Sequence, residues 1–238
     1  MSPVFLIGGG RDDDAVRASH APFVRAVGDG PIAVVVLDEG SETDPARWTR
    51  ALAVAGARDS HAVVVSPTRP PRAEDVAGAA GIFVAGGWTP GYQEALVAAG
   101  GTGWLPPGVP YAGFSAGAAM AASMAIVGGW RLDGVEVCAP EAGEDLDALA
   151  VLPGLGLVPF AVDVHAAQWG TPTRLLHAVH AGLADEGWAV DEGTALVAGD
   201  GAPRVEGLGC AYRVSRAGDR LSVTLVRGAP AAPAAGQA

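Results

Sequence analysis

The chain contains 238 residues, half of them hydrophobic, and its 15 basic and 26 acidic residues give a formal net charge of −11. This length is enough for one sizeable hydrophobic core, and the negative charge argues against nucleic acids and anionic membrane surfaces as partners. No apolar run is long enough to cross a bilayer and no signal-peptide pattern opens the chain, so we predict a soluble, cytoplasmic protein.

Short apolar runs alternate with helical segments in the first half of the chain. Strands are predicted over residues 4–7, 32–37, 62–65, 82–85 and 111–114, and helices over residues 45–57, 72–80, 90–99 and 116–124. Continuous apolar strands that alternate with helices are typical of a parallel sheet buried on both faces. We therefore predict an α/β fold with a doubly wound, mostly parallel sheet.

The pattern loosens after the fifth strand. Strands are predicted over residues 135–138, 155–164 and 188–198, a helix over 173–183, a helix or loop over the acidic stretch 141–149, and a strand pair over 204–227 that turns at 217–219. We predict one domain over residues 1–228 and a disordered, Ala- and Pro-rich tail over residues 229–238.

Three consecutive glycines, Gly8 to Gly10, follow the first predicted strand. Glycines at the end of a strand suggest a phosphate-binding loop, but the spacing Gly-x-Gly-x-x-Gly is absent and no Gly-Lys-Ser/Thr follows. Dinucleotide binding is therefore not favoured. The three aspartates that come next, Asp12 to Asp14, are predicted to begin a helix, where the helix dipole favours negative charge.

The sequence Gly-Phe-Ser-Ala-Gly, residues 113–117, joins the fifth strand to the helix that follows it. This spacing is typical of a nucleophile elbow, a sharp strand-to-helix turn that exposes its central residue in a strained conformation. Glycines at the flanking positions prevent a steric clash across the turn. The pattern predicts Ser115 as a nucleophile, and the alternative is an ordinary glycine-rich turn with a capping serine.

A nucleophilic serine needs a general base, and the chain offers five histidines. Only His165 follows a predicted strand in the later half of the chain, where parallel α/β folds place catalytic groups. His177 and His180 lie on a predicted helix and are expected to face solvent. His20 and His61 are expected at the surface or at a strand edge. We therefore predict His165 as the base.

The residues alone leave the orienting acid open among Asp163, Asp191 and Glu192. Asp163 and His165 are two residues apart, so on an extended strand their side chains would point the same way. Alternation along the next strand would turn either Asp191 or Glu192 inward. The amide of Ala116, at a helix start, and a glycine turn at residues 86–88 are candidate donors to an oxyanion.

Several motifs together resemble the dipeptidase E and cyanophycinase family of serine peptidases. They are residues 113–118, Gly86-Gly87, residues 154–157 leading to Asp163-Val-His165, and residues 190–195. The resemblance covers roughly residues 4–196. It implies the class I glutamine amidotransferase-like, flavodoxin-like fold in three layers. It also implies a triad of Ser115, His165 and Glu192, and an oxyanion hole formed by the amides of Gly87 or Trp88 and of Ala116.

The chain departs from the family pattern where the substrate would bind. In the stretch after His165 only Arg174 and the leucine after it match, and Trp88 stands where the family usually has Asn or Asp. We predict substrate contacts by Asp163, Trp169 and Arg174. Arg174 and Arg11 are candidate anchors for a substrate carboxylate.

Two tryptophans, Trp88 and Trp169, favour uncharged or aromatic substrates over aspartyl ones, unless both pack in the core or under a loop. The interpretation that follows is a serine-type, peptidase-like hydrolase that cleaves a small peptide or amide through an acyl-enzyme on Ser115. No metal or organic cofactor is implied. The alternatives are an inactive homologue that binds a small ligand and an esterase, and the sequence leaves a monomer and a homodimer open.

Overall fold

The computed structural model describes residues 2–99 and 101–229. The strands are Val4–Ile7 (β1), Ile32–Leu37 (β2), Ser60–Val65 (β3), Gly81–Val84 (β4), Tyr111–Phe114 (β5), Met124–Gly128 (β6), Arg131–Leu132 (β7), Val135–Glu136 (β8), Ala150–Pro153 (β9), Ala161–Val164 (β10), Glu186–Val190 (β11), Thr194–Ala198 (β12), Arg204–Gly207 (β13), Cys210–Ala217 (β14) and Arg220–Arg227 (β15). The α-helices are Asp13–Val27 (α1), Pro45–Val54 (α2), Thr89–Gln93 (α3), Ala116–Met120 (α4), Ala166–Trp169 (α5) and Pro172–His180 (α6).

The central sheet has seven strands in the order β13-β12-β1-β5-β4-β2-β3. The strands from β1 to β3 in this order are parallel, and β12 and β13 add two antiparallel strands beyond β1. The α/β fold and the mostly parallel sheet predicted from the sequence are confirmed. Every residue of β1, β2, β4 and β5 is buried, which explains their continuous apolar sequences.

Strand β1 shows how the two faces of the sheet are covered. Val4 and Leu6 pack into one hydrophobic cluster, which includes residues of α3 and α4 and of the smaller sheet described next. Phe5 and Ile7 point the other way, into a second cluster with residues of α1 and α2. Successive residues of a strand alternate between faces, so a fully apolar strand needs a hydrophobic partner on each side.

A second, four-stranded sheet has the order β10-β11-β14-β15. The predicted single strand over 188–198 is wrong, because it divides into β11 and β12, which belong to different sheets. An apolar run indicates that a segment is buried, but not with which strand it pairs. The predicted pair over 204–227 contains three strands, and its turn at 217–219 matches the connection between β14 and β15.

Three helical predictions are also corrected. The helix predicted over 72–80 is a short 3-10 turn, Ala73–Val76, and the helix over 90–99 ends in a π-helical turn, Glu94–Ala98. The helix over 116–124 stops at Met120, because the chain from Met124 onward pairs with β9 instead. The acidic stretch 141–149 is mostly loop. The predicted tail, apart from Ala229, lies outside the described residues.

No helix within residues 2–99 and 101–229 combines the length and the apolar character needed to cross a membrane.

Candidate active site

The three glycines after β1 connect the two sheets. The carbonyl of Gly8 accepts a hydrogen bond from the amide of His165 at 2.8 Å, and the carbonyl of Gly9 accepts one from the amide of Gly193 at 2.8 Å. The amide of Gly8 donates to the carbonyl of Thr194 at 3.0 Å. The chain segments that follow β10 and β11 are therefore fixed against the end of β1.

Packing explains why these positions are glycines. A Cβ atom on Gly8 would lie 2.3 Å from the carbonyl oxygen of Val190. A Cβ atom on Gly9 would lie 2.3 Å from Cε1 of His165, and Gly9 has a φ of +130°, which side-chain-bearing residues rarely adopt. Gly8 and Gly9 therefore allow the segment around Val190 and the His165 imidazole to approach the backbone that follows β1. This close packing explains the glycines at these positions without a bound phosphate.

We expect Gly9→Ala to lower kcat/KM on a peptide substrate by about 100-fold, because the new methyl group displaces the His165 ring by roughly an ångström. Gly56→Ala is the matched control: Gly56 also has a positive φ, +101°, but open space where its Cβ would lie. Steady-state kinetics of the two variants separate backbone strain from the loss of ring position. Equal activity in both variants would contradict the prediction.

Ser115 lies in the predicted strand-to-helix turn, with φ 50° and ψ −112°. A Cβ atom on Gly113 would lie 2.2 Å from the carbonyl oxygen of Gly117, and one on Gly117 would lie 2.2 Å from the carbonyl oxygen of Val84. The amide of Ser115 donates to the carbonyl of Ile7 at 2.9 Å. The turn therefore has the geometry of a nucleophile elbow, held by β1 and β4.

Three side chains form a continuous hydrogen-bonded relay. Ser115 Oγ lies 2.8 Å from His165 Nε2, and His165 Nδ1 lies 2.7 Å from Glu192 Oε1. His165 is buried, whereas Glu192 is about one third exposed. In this arrangement the carboxylate fixes the tautomer with a proton on Nδ1 and leaves Nε2 free to accept the serine proton.

Burial lowers the pKa of His165 below its ordinary value of 6.5, although the hydrogen bond and the charge of Glu192 act in the opposite direction. The positive charge of Arg11 lowers it further. The imidazole is therefore mainly neutral at pH 7, the state in which it can act as a base.

Asp191, one of the two other candidate acids, has structural partners. Asp191 accepts hydrogen bonds from the amides of Ala167 at 3.0 Å and Cys210 at 2.9 Å, so it fixes α5 to β14. The backbone of Glu192 is held separately, because its amide donates a hydrogen bond to Oε1 of Gln168 at 3.0 Å. Of the three acids predicted from the sequence, Glu192 is the one whose carboxylate contacts His165.

Asp163 and Arg174 form an internal ion pair. The Arg174 guanidinium donates to both carboxylate oxygens of Asp163, at 2.9 and 2.7 Å, and both side chains are buried. The remaining donors of Arg174 reach the carbonyls of Gly129 and Ala142. We therefore correct the prediction that Asp163 and Arg174 contact substrate, because both side chains are buried and neither lines the cleft over Ser115. The sequence could not reveal that the two side chains meet.

We expect Arg174→Met to lower the free energy of unfolding by about 3–5 kcal/mol, because Asp163 would remain as an unpaired buried charge. Arg213→Met is the matched control: it breaks a partly exposed pair with Glu186, which is worth at most about 1 kcal/mol. Urea denaturation measures both values. Replacing both members, Asp163→Leu with Arg174→Met, should recover part of the loss, and a loss as small as that of Arg213→Met would contradict the prediction.

The three amides predicted to bind an oxyanion differ in whether they already donate a hydrogen bond within the protein. The amide of Trp88 donates to Glu39 Oε1 at 2.7 Å, so it is already occupied. The amide of Gly87 makes no hydrogen bond with any of the residues that the structure describes. Ala116 is the first residue of α4, so its amide has no acceptor within the helix. The amides of Gly87 and Ala116 are therefore the two that could donate to an oxyanion, whereas the amide of Trp88 already donates to Glu39.

Both predicted tryptophans are exposed, so core packing is excluded as their role. The exposed fractions are 44% for Trp88 and 43% for Trp169. The Trp169 ring stacks on the imidazole of His165, with ring centroids 4.1 Å apart and planes 11° apart. The indole of Trp88 donates to the carbonyl of Glu144 at 3.2 Å.

Sequence reasoning missed Glu144, which lies in the loop over 141–149. Its carboxylate accepts hydrogen bonds from the amide and the hydroxyl of Thr89, at 3.1 and 3.0 Å. Burial raises the pKa of Glu144, and the bonds from Thr89 oppose the shift. The residue fixes this loop to the glycine turn beside the serine. No periodicity or motif in the sequence indicates this contact.

A cleft of about 440 Å³ lies over the relay, and its walls include Arg11, Glu144, His165 and Trp169. This volume lies within the range of small-ligand pockets, about 300–1,000 Å³. Within residues 2–99 and 101–229, no group of three or more His, Cys, Asp or Glu side chains is placed to hold a metal ion.

No protein-family model and no curated protein matches the chain in sequence. Solved structures do match in fold. A peptidase from an acI-B1 Actinobacterium has a TM-score of 0.61 at 17% identity, over 96% of this chain and 95% of that one. A provisionally assigned Peptidase E protein from Listeria monocytogenes EGD-e has a TM-score of 0.58 at 14% identity, over 87% of this chain and 99% of that one. The chain therefore has a peptidase E-like α/β fold, and its membership of that family stays a prediction.

Proposed function

We propose that the protein is a serine-type, peptidase-like hydrolase that cleaves a small peptide or amide through an acyl-enzyme on Ser115. The observation that carries the proposal is the relay from Ser115 through His165 to Glu192, placed at a strained strand-to-helix turn. The peptidase names of the two structural relatives support the same class of reaction. We also infer the three-layer, class I glutamine amidotransferase-like arrangement of that fold.

The chemistry follows from the positions of the side chains. Neutral His165 takes the proton of the Ser115 hydroxyl while the oxygen attacks the substrate carbonyl. Glu192 stabilises the imidazolium that forms. The amides of Gly87 and Ala116 donate to the oxyanion. His165 then protonates the leaving amine, and a water molecule, activated by the same ring, hydrolyses the acyl-enzyme.

The charge and the aromatic surface of the cleft walls indicate which substrate side chains the cleft would accept. Arg174 is withdrawn into the interior, so the cleft lacks that cation for an aspartyl side chain. Trp169 presents an exposed aromatic face beside the base, although part of that ring covers His165. These features favour uncharged or aromatic groups over aspartyl ones next to the cleaved bond.

Covalent labelling with a fluorophosphonate probe tests the proposal. We expect a single adduct on Ser115, located by peptide mass spectrometry, and none in Ser115→Ala. A p-nitrophenyl ester and the matched aryl amide then distinguish an esterase, which cleaves only the ester, from a peptidase-like enzyme. The absence of an adduct on Ser115 would favour the inactive, ligand-binding alternative.

A further inference from the structure

A second cavity, of about 320 Å³, lies between α1 and α2 beside the cleft. Gly10, Arg11 and Phe114 line both cavities, and Phe114 is the residue immediately before Ser115. A group bound in this side pocket would therefore lie next to the nucleophile. The relay of Ser115, His165 and Glu192 does not line this pocket.

His20 lines the side pocket, and its position corrects the prediction that it lies at the surface or at a strand edge. The side chain is fully buried, and its ring packs against those of Phe83 and Phe114, with centroids 5.5 and 5.6 Å away. Nε2 of His20 has no hydrogen-bond partner within residues 2–99 and 101–229. A buried polar atom without a partner is rare in proteins and calls for an explanation.

The hydrogen bonds around His20 define what Nε2 can bind. The hydroxyl of Ser19 donates its only proton to the carbonyl of Ala15, at 2.7 Å. His20 Nδ1 lies 3.0 Å from the same hydroxyl oxygen, so the tautomer with its proton on Nδ1 satisfies this contact. Burial lowers the pKa of His20 to about 4, despite a backbone hydrogen bond at Val16, so the ring is neutral. In this tautomer Nε2 is an acceptor without a donor among residues 2–99 and 101–229.

The charges on the pocket wall are mainly positive, in a chain whose net charge is −11. The wall contains three arginines, Arg11, Arg47 and Arg50, and one carboxylate, Asp13. Arg50 and Asp13 each pair with a residue nearby in sequence. Arg11 makes no ion pair with a described residue, and the buried Nε of Arg47 has no partner among them. This local excess of positive charge fits a carboxylate.

The rest of the wall is apolar. Val16, Trp48, Val54 and Phe114 surround the space, and the Arg47 guanidinium lies 4.6 Å from the centre of the Trp48 ring. The complementary ligand has an apolar or aromatic body, a hydrogen-bond donor at its end and a carboxylate at the mouth of the pocket.

We propose that the side pocket binds the carboxyl-terminal residue of a short peptide, with its carboxylate on Arg11. His20 Nε2 is covered in this structure; on binding, a small movement of the pocket wall uncovers it, and the hydroxyl or N–H of an aromatic side chain donates to it. In a dipeptide, the carboxylate of the last residue is only one residue away from the amide that is cleaved. Arg11 lies at the junction of the two cavities, where such a carboxylate would be. This inference rests on the proposed function for the identity of the ligand, but not for the pocket.

Binding to Ser115→Ala tests the proposal without requiring turnover. Isothermal titration compares Ala-Tyr with three analogues: Ala-Phe, which lacks the hydroxyl; Ala-(4-methoxyphenylalanine), in which a methyl group replaces the donor proton; and Ala-Tyr amide, which lacks the carboxylate. We expect each analogue to bind about three- to tenfold more weakly than Ala-Tyr. The side-chain ¹⁵N resonance of His20 Nε2 should shift with Ala-Tyr but not with Ala-Phe.

Arg11→Gln should remove the preference for Ala-Tyr over its amide. Arg25→Gln, in the last turn of α1 and paired with Glu206, should keep it. Equal affinities for Ala-Tyr and Ala-Phe, or an unmoved His20 resonance on saturation, would overturn the proposal. These comparisons need no change at the buried His20. If the binding pattern is found but the wild-type protein labels no serine, only the proposed function fails; if labelling succeeds and the pattern is absent, only the pocket assignment fails.

Discussion

Replacing Ser115 with alanine is expected to lower kcat by about a millionfold on any peptide or amide that the wild-type protein cleaves. The reason is that the strained turn holds the Ser115 hydroxyl 2.8 Å from Nε2 of His165, the proposed base. Alanine tolerates the same positive φ as poorly as serine, so the variant should unfold at the same denaturant concentration as the wild type. Single-turnover kinetics and urea denaturation measure the two effects separately.

Ser123→Ala is the matched control, because Ser123 is exposed and lies outside the relay. It should keep the wild-type rate and the wild-type fluorophosphonate label. Undiminished hydrolysis by purified Ser115→Ala would assign the reaction to another nucleophile.

Glu192→Gln is expected to lower kcat by about 10³- to 10⁴-fold. An amide in place of the carboxylate no longer stabilises the imidazolium, and it can donate to Nδ1 and so favour the wrong tautomer. The hydrogen bond and the charge of Glu192 both raise the pKa of His165, so their removal lowers that pKa further below 6.5. Since the reaction needs neutral His165, the residual activity should keep its maximum down to a lower pH than in the wild type.

The kcat–pH profile of Glu192→Gln measures both parts of this prediction. Glu94→Gln, on an exposed position of the π-helical turn, is the control and should change neither rate nor profile. A wild-type rate in Glu192→Gln, together with a loss in Asp191→Asn, would show that the acid has been misassigned.

The fold was largely predictable because its central strands are continuous apolar runs that begin and end at glycines, prolines or charged residues. Strand β2 over residues 32–37 and strand β5 over residues 111–114 match the predicted bounds. The division of residues 188–198 between two sheets was not predictable, because strand pairing depends on contacts between distant segments that a local pattern does not record.

Two kinds of sequence signal predicted the three residues of the relay. The glycine spacing around Ser115 and the position of His165 after a strand are local signals, and they were enough to single out both residues. The choice of Glu192 came from the family resemblance, because neighbouring acids on an extended chain differ only in which way they point. His20 and Glu144 had no local signal at all, since their importance depends on which groups surround them in three dimensions.

Two consecutive backbone carbonyls set the spacing of nucleophile and base. Ile7, the last residue of β1, accepts a hydrogen bond from the amide of Ser115, and Gly8, which follows it, accepts one from the amide of His165. Parts of the 49 residues between them are fixed as well, because α4 is buried, Asp163 pairs with Arg174 in the interior and Glu144 contacts Thr89. The exposed residues 133–136, which form the turn after β7 and the short strand β8, make none of these contacts. They can therefore accept insertions or exchange for a foreign loop while the reactive atoms keep their separation. A library diversified there would leave Ser115 and His165 at their present separation.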